Sequence, residues 1–245
     1  MALCIGLASV LLLAAFPVEG DILLFDFGND DSYRGASVSN PDDNGNYWNS
    51  VRGGAFFSNV LDIDGNVSTV DFGFTTAGGT DYFNGPSGAT EDPSATVYDA
   101  GALGDLGVDE AVYDWYSSST FQIQQLDSSA TYTLTFYGSR RFPLNDTQTT
   151  YTVYTDGDFT NAIDSVTLTI GDGGAGHNQD TVAVLTGLTP QGPNDVLYVG
   201  YEGSEGGSGY LNALKVSTVV PEPSSLLLFA LGGLFFGLVR RRARS

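Results

Sequence analysis

The chain has 245 residues, and its 42% hydrophobic and 12% aromatic content is enough apolar material for a packed core in one large domain or two small ones. A formal charge of −20 argues against a nucleic-acid binder, because phosphate contacts need clustered Lys and Arg. A single Cys excludes a disulfide framework and a cysteine zinc site, and a single His excludes a multi-histidine metal centre. With 32 Gly, 13 Tyr and 15 Phe, the composition favours short strands and tight turns over helices.

The charge is unevenly placed. Arg240, Arg241, Arg242 and Arg244 account for four of the nine basic residues, while residues 21–219 hold 27 acids against Arg34, Arg52, Arg140, Arg141 and Lys215. An acidic body with a basic tip implies different surroundings for the two parts.

In chain order, Leu3 to Phe16 is an apolar run of signal-sequence length, too short for an ordinary membrane-spanning helix. No Lys or Arg precedes it, so its positive charge comes from the α-amino group alone. Val18 and Gly20 are small enough to flank a cleavage site before Asp21. Residues 1–20 are therefore expected to form a signal helix that is removed, taking Cys4 with it; a buried first helix is the alternative.

The body, residues 21–218, is predicted to be one all-β domain, a β-sandwich or jelly roll. Strands are expected at Ile22–Phe27, Val70–Phe74, Phe121–Leu126, Tyr132–Phe136, Tyr151–Thr155, Val166–Ile170, Val182–Leu185, Val196–Tyr201 and Leu211–Val216. The clearest period-two run alternates Tyr132, Leu134 and Phe136 with threonines. Asp105–Tyr116 has room for a short helix, and the Gly-rich stretch from Thr76 to Pro93 reads as a long surface loop. The turn Leu126-Asp-Ser-Ser-Ala ahead of Tyr132 has the form of a sandwich corner.

At the C-terminal end, Pro221-Glu222-Pro223 precedes the uncharged run Leu226–Val239 and then the arginines. Fourteen to sixteen helical residues span roughly 21–24 Å, short of a hydrocarbon core of about 30 Å. The run is nevertheless apolar on every side and ends in arginines that would stay cytoplasmic, leaving the body outside. A transmembrane helix over 224–239 is the expectation, with Arg240, Arg241, Arg242 and Arg244 as its membrane stop.

These three parts in order resemble the PEP-CTERM sorting signal of Gram-negative bacteria. The resemblance covers about 25 residues, 219–245, and is silent on the rest. It implies a sorting site at Pro221, Glu222 and Pro223, processed near there by an exosortase-type membrane transpeptidase. It also implies an inner-membrane-anchored precursor and delivery to the cell surface or extracellular matrix, often alongside exopolysaccharide. Two prolines suit such a substrate site, since they hold the backbone extended and outside the following helix. The alternative is a plain anchor with an accidental Pro-Glu-Pro.

A weaker similarity links Phe25-Asp-Phe-Gly28, Tyr137-Gly-Ser-Arg140 and Tyr210-Leu-Asn-Ala-Leu214 to galactose-binding-like and malectin-like jelly rolls. It implies carbohydrate contact through loops at one end of a sandwich. Sugar recognition needs flat aromatic faces for C–H surfaces and planar polar groups for hydroxyls. Trp48, Trp115, Tyr116, Tyr201 and Tyr210, with Asn212, Arg140 and Arg141, are the available set; core packing is the competing role for the aromatics, and solvated acid pairing for the arginines.

Asp62, Asp64 and Asn66, with Ser68 and Asp71, offer hard oxygens for a structural calcium ion, as do Asp42-Asp43-Asn44 and Asp156-Gly-Asp158. None has EF-hand spacing, and an acidic turn is the alternative. Gly173 to Asn178 resembles a single calcium β-roll repeat, an architecture that needs several copies. No other cofactor is expected. Catalysis has little support, since no G-x-S-x-G occurs and His177 lies in a Gly-rich loop. The body is thus expected to be a non-enzymatic polysaccharide binder, with a structural or adhesive envelope protein as the alternative and a carboxylate-based polysaccharide enzyme behind both.

Overall fold

The computed structural model describes residues 18–28, 37–51, 56–75, 81–82, 97–113, 115–117, 119–140, 146–174 and 176–220. The sorting motif, the 224–239 helix, the terminal arginines and the first 17 residues of the expected signal helix lie outside these residues, while its last three, 18–20, are strand rather than helix.

The strands in chain order are β1 (Val18–Asp26), β2 (Asn49–Ser50), β3 (Phe56–Phe57), β4 (Asp71–Phe74) and β5 (Asp81–Tyr82). Two short helices follow, α1 (Ala100–Leu103) and α2 (Asp109–Tyr113), joined through a 3-10 turn at Gly104–Leu106. Then come β6 (Trp115–Ser117), β7 (Ser119–Gln124), β8 (Thr131–Tyr137), β9 (Gln148–Tyr154), β10 (Ala162–Thr169), β11 (Ala183–Leu188), β12 (Leu197–Gly203), β13 (Tyr210–Leu211) and β14 (Ala213–Val220). One sheet has the order β11-β8-β14-β1-β2, and a second has the order β10-β9-β12-β7-β4-β3. A small third sheet runs β13-β6-β5. The compact unit that holds this architecture is Glu19–Val219.

Period-two alternation builds the core. On β8, Tyr132, Leu134 and Phe136 are buried while the intervening threonines are only partly covered. These residues meet Phe25, Phe27, Leu214 and Val216 of their own sheet and Phe72, Phe121, Ile123, Val153, Leu197 and Val199 of the other in one apolar cluster. Phe136 and Tyr151 stack across the two sheets, with ring centroids 4.4 Å apart and planes 8° apart. Phe72 packs against Phe25 and Phe121 at 4.9 and 5.1 Å. The expected corner forms: the Asp127 amide donates to the Tyr132 hydroxyl at 2.7 Å, five residues ahead of it.

A second cluster lies on the other face of the first sheet. Leu24, Tyr137 and Ala213 meet Trp48, Leu103, Leu106, Val108 and Val112. The helical segment therefore covers part of that outer face, and Lys215 Nζ on β14 meets Asp105 Oδ2 at 2.8 Å.

Three expectations are corrected. The strand expected at Leu211–Val216 is divided at Asn212 into β13 and β14, because Asn212 turns its backbone to Phe27 and Tyr137. The short helix for which Asp105–Tyr116 has room forms at Asp109–Tyr113, but Trp115 and Tyr116 belong to β6 instead. The expected loop from Thr76 to Pro93 contains β5, paired to β6 through Asp81↔Tyr116 and Tyr82↔Trp115.

Candidate functional site

The residues expected to contact sugar fall mostly in the interior. Trp48, Trp115, Tyr116, Tyr201, Tyr210 and Asn212 are each at most 3% exposed. Their sugar-facing role gives way to a packing one, because each lies on the inward side of its strand or beneath the helical segment. Trp48 belongs to the cluster under α1 and α2, and its Nε1–H donates to Asp42 Oδ2 at 2.9 Å. Tyr201 packs between Phe121 and Tyr151. Burial raises the pKa of Tyr137, Tyr151 and Tyr201 well above the ordinary phenol value, which keeps them neutral.

Four of the expected residues do come together. The Arg140 guanidinium lies 4.3 Å from the Trp115 ring centroid and 4.6 Å from that of Tyr210, and it donates to the Tyr210 hydroxyl. The Trp115 and Tyr210 rings are perpendicular, 4.9 Å apart. Tyr210 is fixed by its own backbone: its N–H donates to Thr149 Oγ1 at 2.8 Å and its carbonyl accepts from Tyr151 at 2.6 Å. Gly138 sits against this junction, where an added Cβ would lie 2.3 Å from the Tyr151 hydroxyl. Asn212 completes the group as a buried hub. Its Oδ1 accepts from the Ser139 amide at 2.8 Å, and its Nδ2 donates to the Val112 carbonyl at 3.0 Å. Arg141 lies outside the described residues.

The expected calcium ligands form a self-contained turn. Asp62 Oδ1 accepts from the amides of Asp64 and Asn66 at 3.0 and 2.7 Å, and Asp62 Oδ2 accepts from Asn66 Nδ2 at 3.0 Å. Gly65 takes φ +83° with the Tyr47 ring against it, a position that favours glycine. Asp42-Asp-Asn-Gly-Asn46 repeats the same turn, with Asp42 Oδ1 accepting from the amides of Asn44 and Asn46, both at 2.8 Å. In both turns the first aspartate's carboxylate is thus engaged by N–H donors. Among the described residues no three His, Cys, Asp or Glu side chains converge on one point. A cleft of about 400 Å³ gathers Asp42, Asp43, Asp109 and Glu110 beside Tyr98. Burial, and then Glu110, hold the Asp109 carboxyl above its usual range.

The outer face of the second sheet went unnoticed in the sequence. Its strand register places Phe56, Gly73, Gln122, Tyr198 and Tyr154 in one row across five strands. The adjoining row is Thr120, Gly200, Thr152 and Ser165, followed by Glu202, Thr150 and Thr167. Phe56 is 53% exposed and lies over Gly73, where an added Cβ would come within 2.6 Å of its ring. Tyr154 reaches over Gly200, with its Cε2 3.2 Å from where a Cβ would stand. Phe159, at φ 54° in the turn after β9, meets both Tyr154 and Tyr198 edge-on at 5.4 and 6.1 Å. Alternation on β7 (Thr120, Gln122, Gln124) and β9 (Thr150, Thr152, Tyr154) was the available signal, but strand neighbours were not.

The last strand of the body ends immediately before the Pro-Glu-Pro motif. β14 is flanked by β8 and β1, and its last pair with β8 is Val219↔Thr131. Its final residue, Val220, directly precedes Pro221. Among the described residues no helix is long and apolar enough to cross a membrane. No curated protein and no solved structure matched the chain. Residues 219–243 match the family model of the PEP-CTERM protein-sorting motif, so the C-terminal end of this β-rich chain carries that sorting signal.

Proposed function

We propose that the chain is an exported surface protein that an exosortase-type membrane transpeptidase recognises at Pro221-Glu222-Pro223, cuts nearby, and releases as its β-rich body. Residues 1–20 act as the export signal. Residues 224–239 hold the precursor in the inner membrane, with Arg240, Arg241, Arg242 and Arg244 on the cytoplasmic side. The observation that carries this reading is the family match at 219–243, which overlaps only the last two residues of β14. A cut at the prolines removes no residue of β14, so release need not cost the body any core contact. At the other end, cleavage before Asp21 removes three residues of β1 and leaves Leu23, Phe25 and Phe27 in place.

The body acts by binding rather than by catalysis, among extracellular polysaccharide. The two-sheet architecture and the corner at Tyr132 support a sandwich of the jelly-roll kind. Saccharide contact is assigned to the open outer face, since the aromatic set first considered is interior. Calcium has no part in this reading.

The test is to replace Glu222 with Ala and, separately, to delete 226–245, then to measure the surface-exposed fraction in the native host. Both changes should sharply reduce surface display while total expression is maintained. Undiminished display of the truncated chain would overturn the proposal.

A further inference from the structure

We propose that the outer face of the β10-β9-β12-β7-β4-β3 sheet is a docking surface for a linear, uncharged polysaccharide, lying across the strands along the Phe56–Tyr198–Tyr154 row. The inference rests on the reading of the body as a protein delivered among surface polymers, and it names the polymer's chemistry and seat.

Charge selects the partner. Residues 21–219 carry 27 acids against five basic residues, yet the aromatic row and the Thr120–Ser165 row contain no ionisable acid or base other than tyrosine hydroxyls. Glu202 stands at one margin, Asp71 at another is occupied by the Asn59 amide and Gln125, and at a third the Asp156-Gly-Asp158 turn lies against Tyr198, with Asp156 occupied by the Asp158 amide and Asn161. An anionic polymer would meet the repulsive field of the whole body, and a cationic one would find no carboxylate in these two rows. A neutral polymer meets neither obstacle.

Side-chain chemistry agrees. Glycines beneath Phe56 and Tyr154 let those rings lie over the sheet surface instead of standing on end. Rings so placed offer faces to the C–H surfaces of sugar rings. Beside them, threonine hydroxyls and Gln122 both donate and accept, as the hydroxyls of a sugar do. The Thr75 and Thr120 hydroxyls are already linked at 2.7 Å, and those of Thr150 and Thr167 at 3.0 Å, so part of this surface is ordered before a ligand arrives.

Shape selects a polymer over a small molecule. Four strand spacings separate Phe56 from Tyr154, about 19 Å at ~4.8 Å each. That is the length of several sugar units on an open surface, whereas a small ligand needs a concave pocket that buries most of it. Phe159 closes one end of the row. Its left-handed backbone is held by the Asp156 turn through Asn161 Nδ2 at 2.8 Å and the Asp158 amide at 3.1 Å.

The test is affinity electrophoresis of the full chain, purified in a non-glycosidic detergent. Gels would contain soluble β-glucan, xylan, galactomannan or dextran, or the anionic polymers alginate and hyaluronate. At least one neutral polymer should retard the protein, and neither anionic polymer should. Tyr198→Ala and Tyr154→Ala should each weaken retardation roughly 5- to 10-fold, the loss expected for one stacked aromatic face. Val184→Ser on the opposite sheet should change nothing, and circular dichroism should show all variants folded. Retardation by no neutral polymer, stronger retardation by the anionic ones, or binding undiminished in folded Tyr198→Ala each overturns the proposal. Binding by a chain that reaches the surface uncut would break the processing reading alone. A chain that is cut and displayed, yet unretained, would break this one alone.

Discussion

Replacing Asn212 with Ala separates an interior role for this residue from a ligand-contacting one. The side chain is fully buried and joins three segments: it accepts from the Ser139 amide after β8, donates to the Val112 carbonyl in α2, and stands between β13 and β14. Alanine keeps the backbone bonds to Phe27 and Tyr137 but strands two buried main-chain groups. Each stranded group costs about 1–3 kcal/mol, so a loss of roughly 3 kcal/mol is expected. For a domain of this size that is a fall in Tm of about 6–12 °C. The assay is urea and thermal unfolding followed by near-ultraviolet circular dichroism, with exposed Glu202→Gln as a control expected to stay within about 0.5 kcal/mol. Polysaccharide retention of the Asn212→Ala protein, measured well below its Tm, should be unchanged. A stability loss under about 1 kcal/mol, or lost retention in a folded variant, would refute the hub assignment.

Two further outcomes are expected. The Asp146 carboxyl is raised by partial desolvation, but the Glu205 and Gln148 amides and the Ser204 hydroxyl outweigh this and hold its pKa below the usual carboxylate range. Its stabilising contribution is therefore present above the unfolded value of about 3.9 and is lost as pH falls through the lower folded value. Asp146→Asn should be less stable than the parent at pH 7, and urea titration should show that gap closing toward pH 2–3; a gap that widens with acid would contradict the assignment. Truncation after Val220 should leave Tm within about 2 °C, whereas truncation after Val216 removes the Ser217, Thr218 and Val219 pairings of a central strand and should abolish cooperative unfolding; the melting curves of the two chains decide the point.

The long strands were legible because period-two patterning is written into them: Tyr132, Leu134 and Phe136 alternate with threonine, and threonine tolerates the half-covered side. Short strands were not legible. Phe56–Phe57 and Asp81–Tyr82 owe their pairing to β4 and β6, partners distant in sequence. The direction of aromatics was hardest to read. In Val196–Tyr201 nearly every residue is apolar, so nothing local distinguishes the buried parity of Leu197, Val199 and Tyr201 from the open parity of Tyr198. That ambiguity placed the interior Tyr201 in the candidate sugar set. The acidic turns were ambiguous for a related reason. Asp-X-Asn/Asp-Gly-Asn supplies oxygens suited to calcium, but at Asp42 and Asp62 the first carboxylate accepts from the amides of its own loop, a role that the same residue pattern serves equally well. The sorting signal needed no tertiary information, since its order along the chain is its content.

Mass spectrometry of the C-terminal peptide from protein recovered at the cell surface tests the central claim most directly. The account predicts a last residue near Pro221–Pro223, with Leu226 to Ser245 absent. Surface protein that still ends at Ser245 would contradict it.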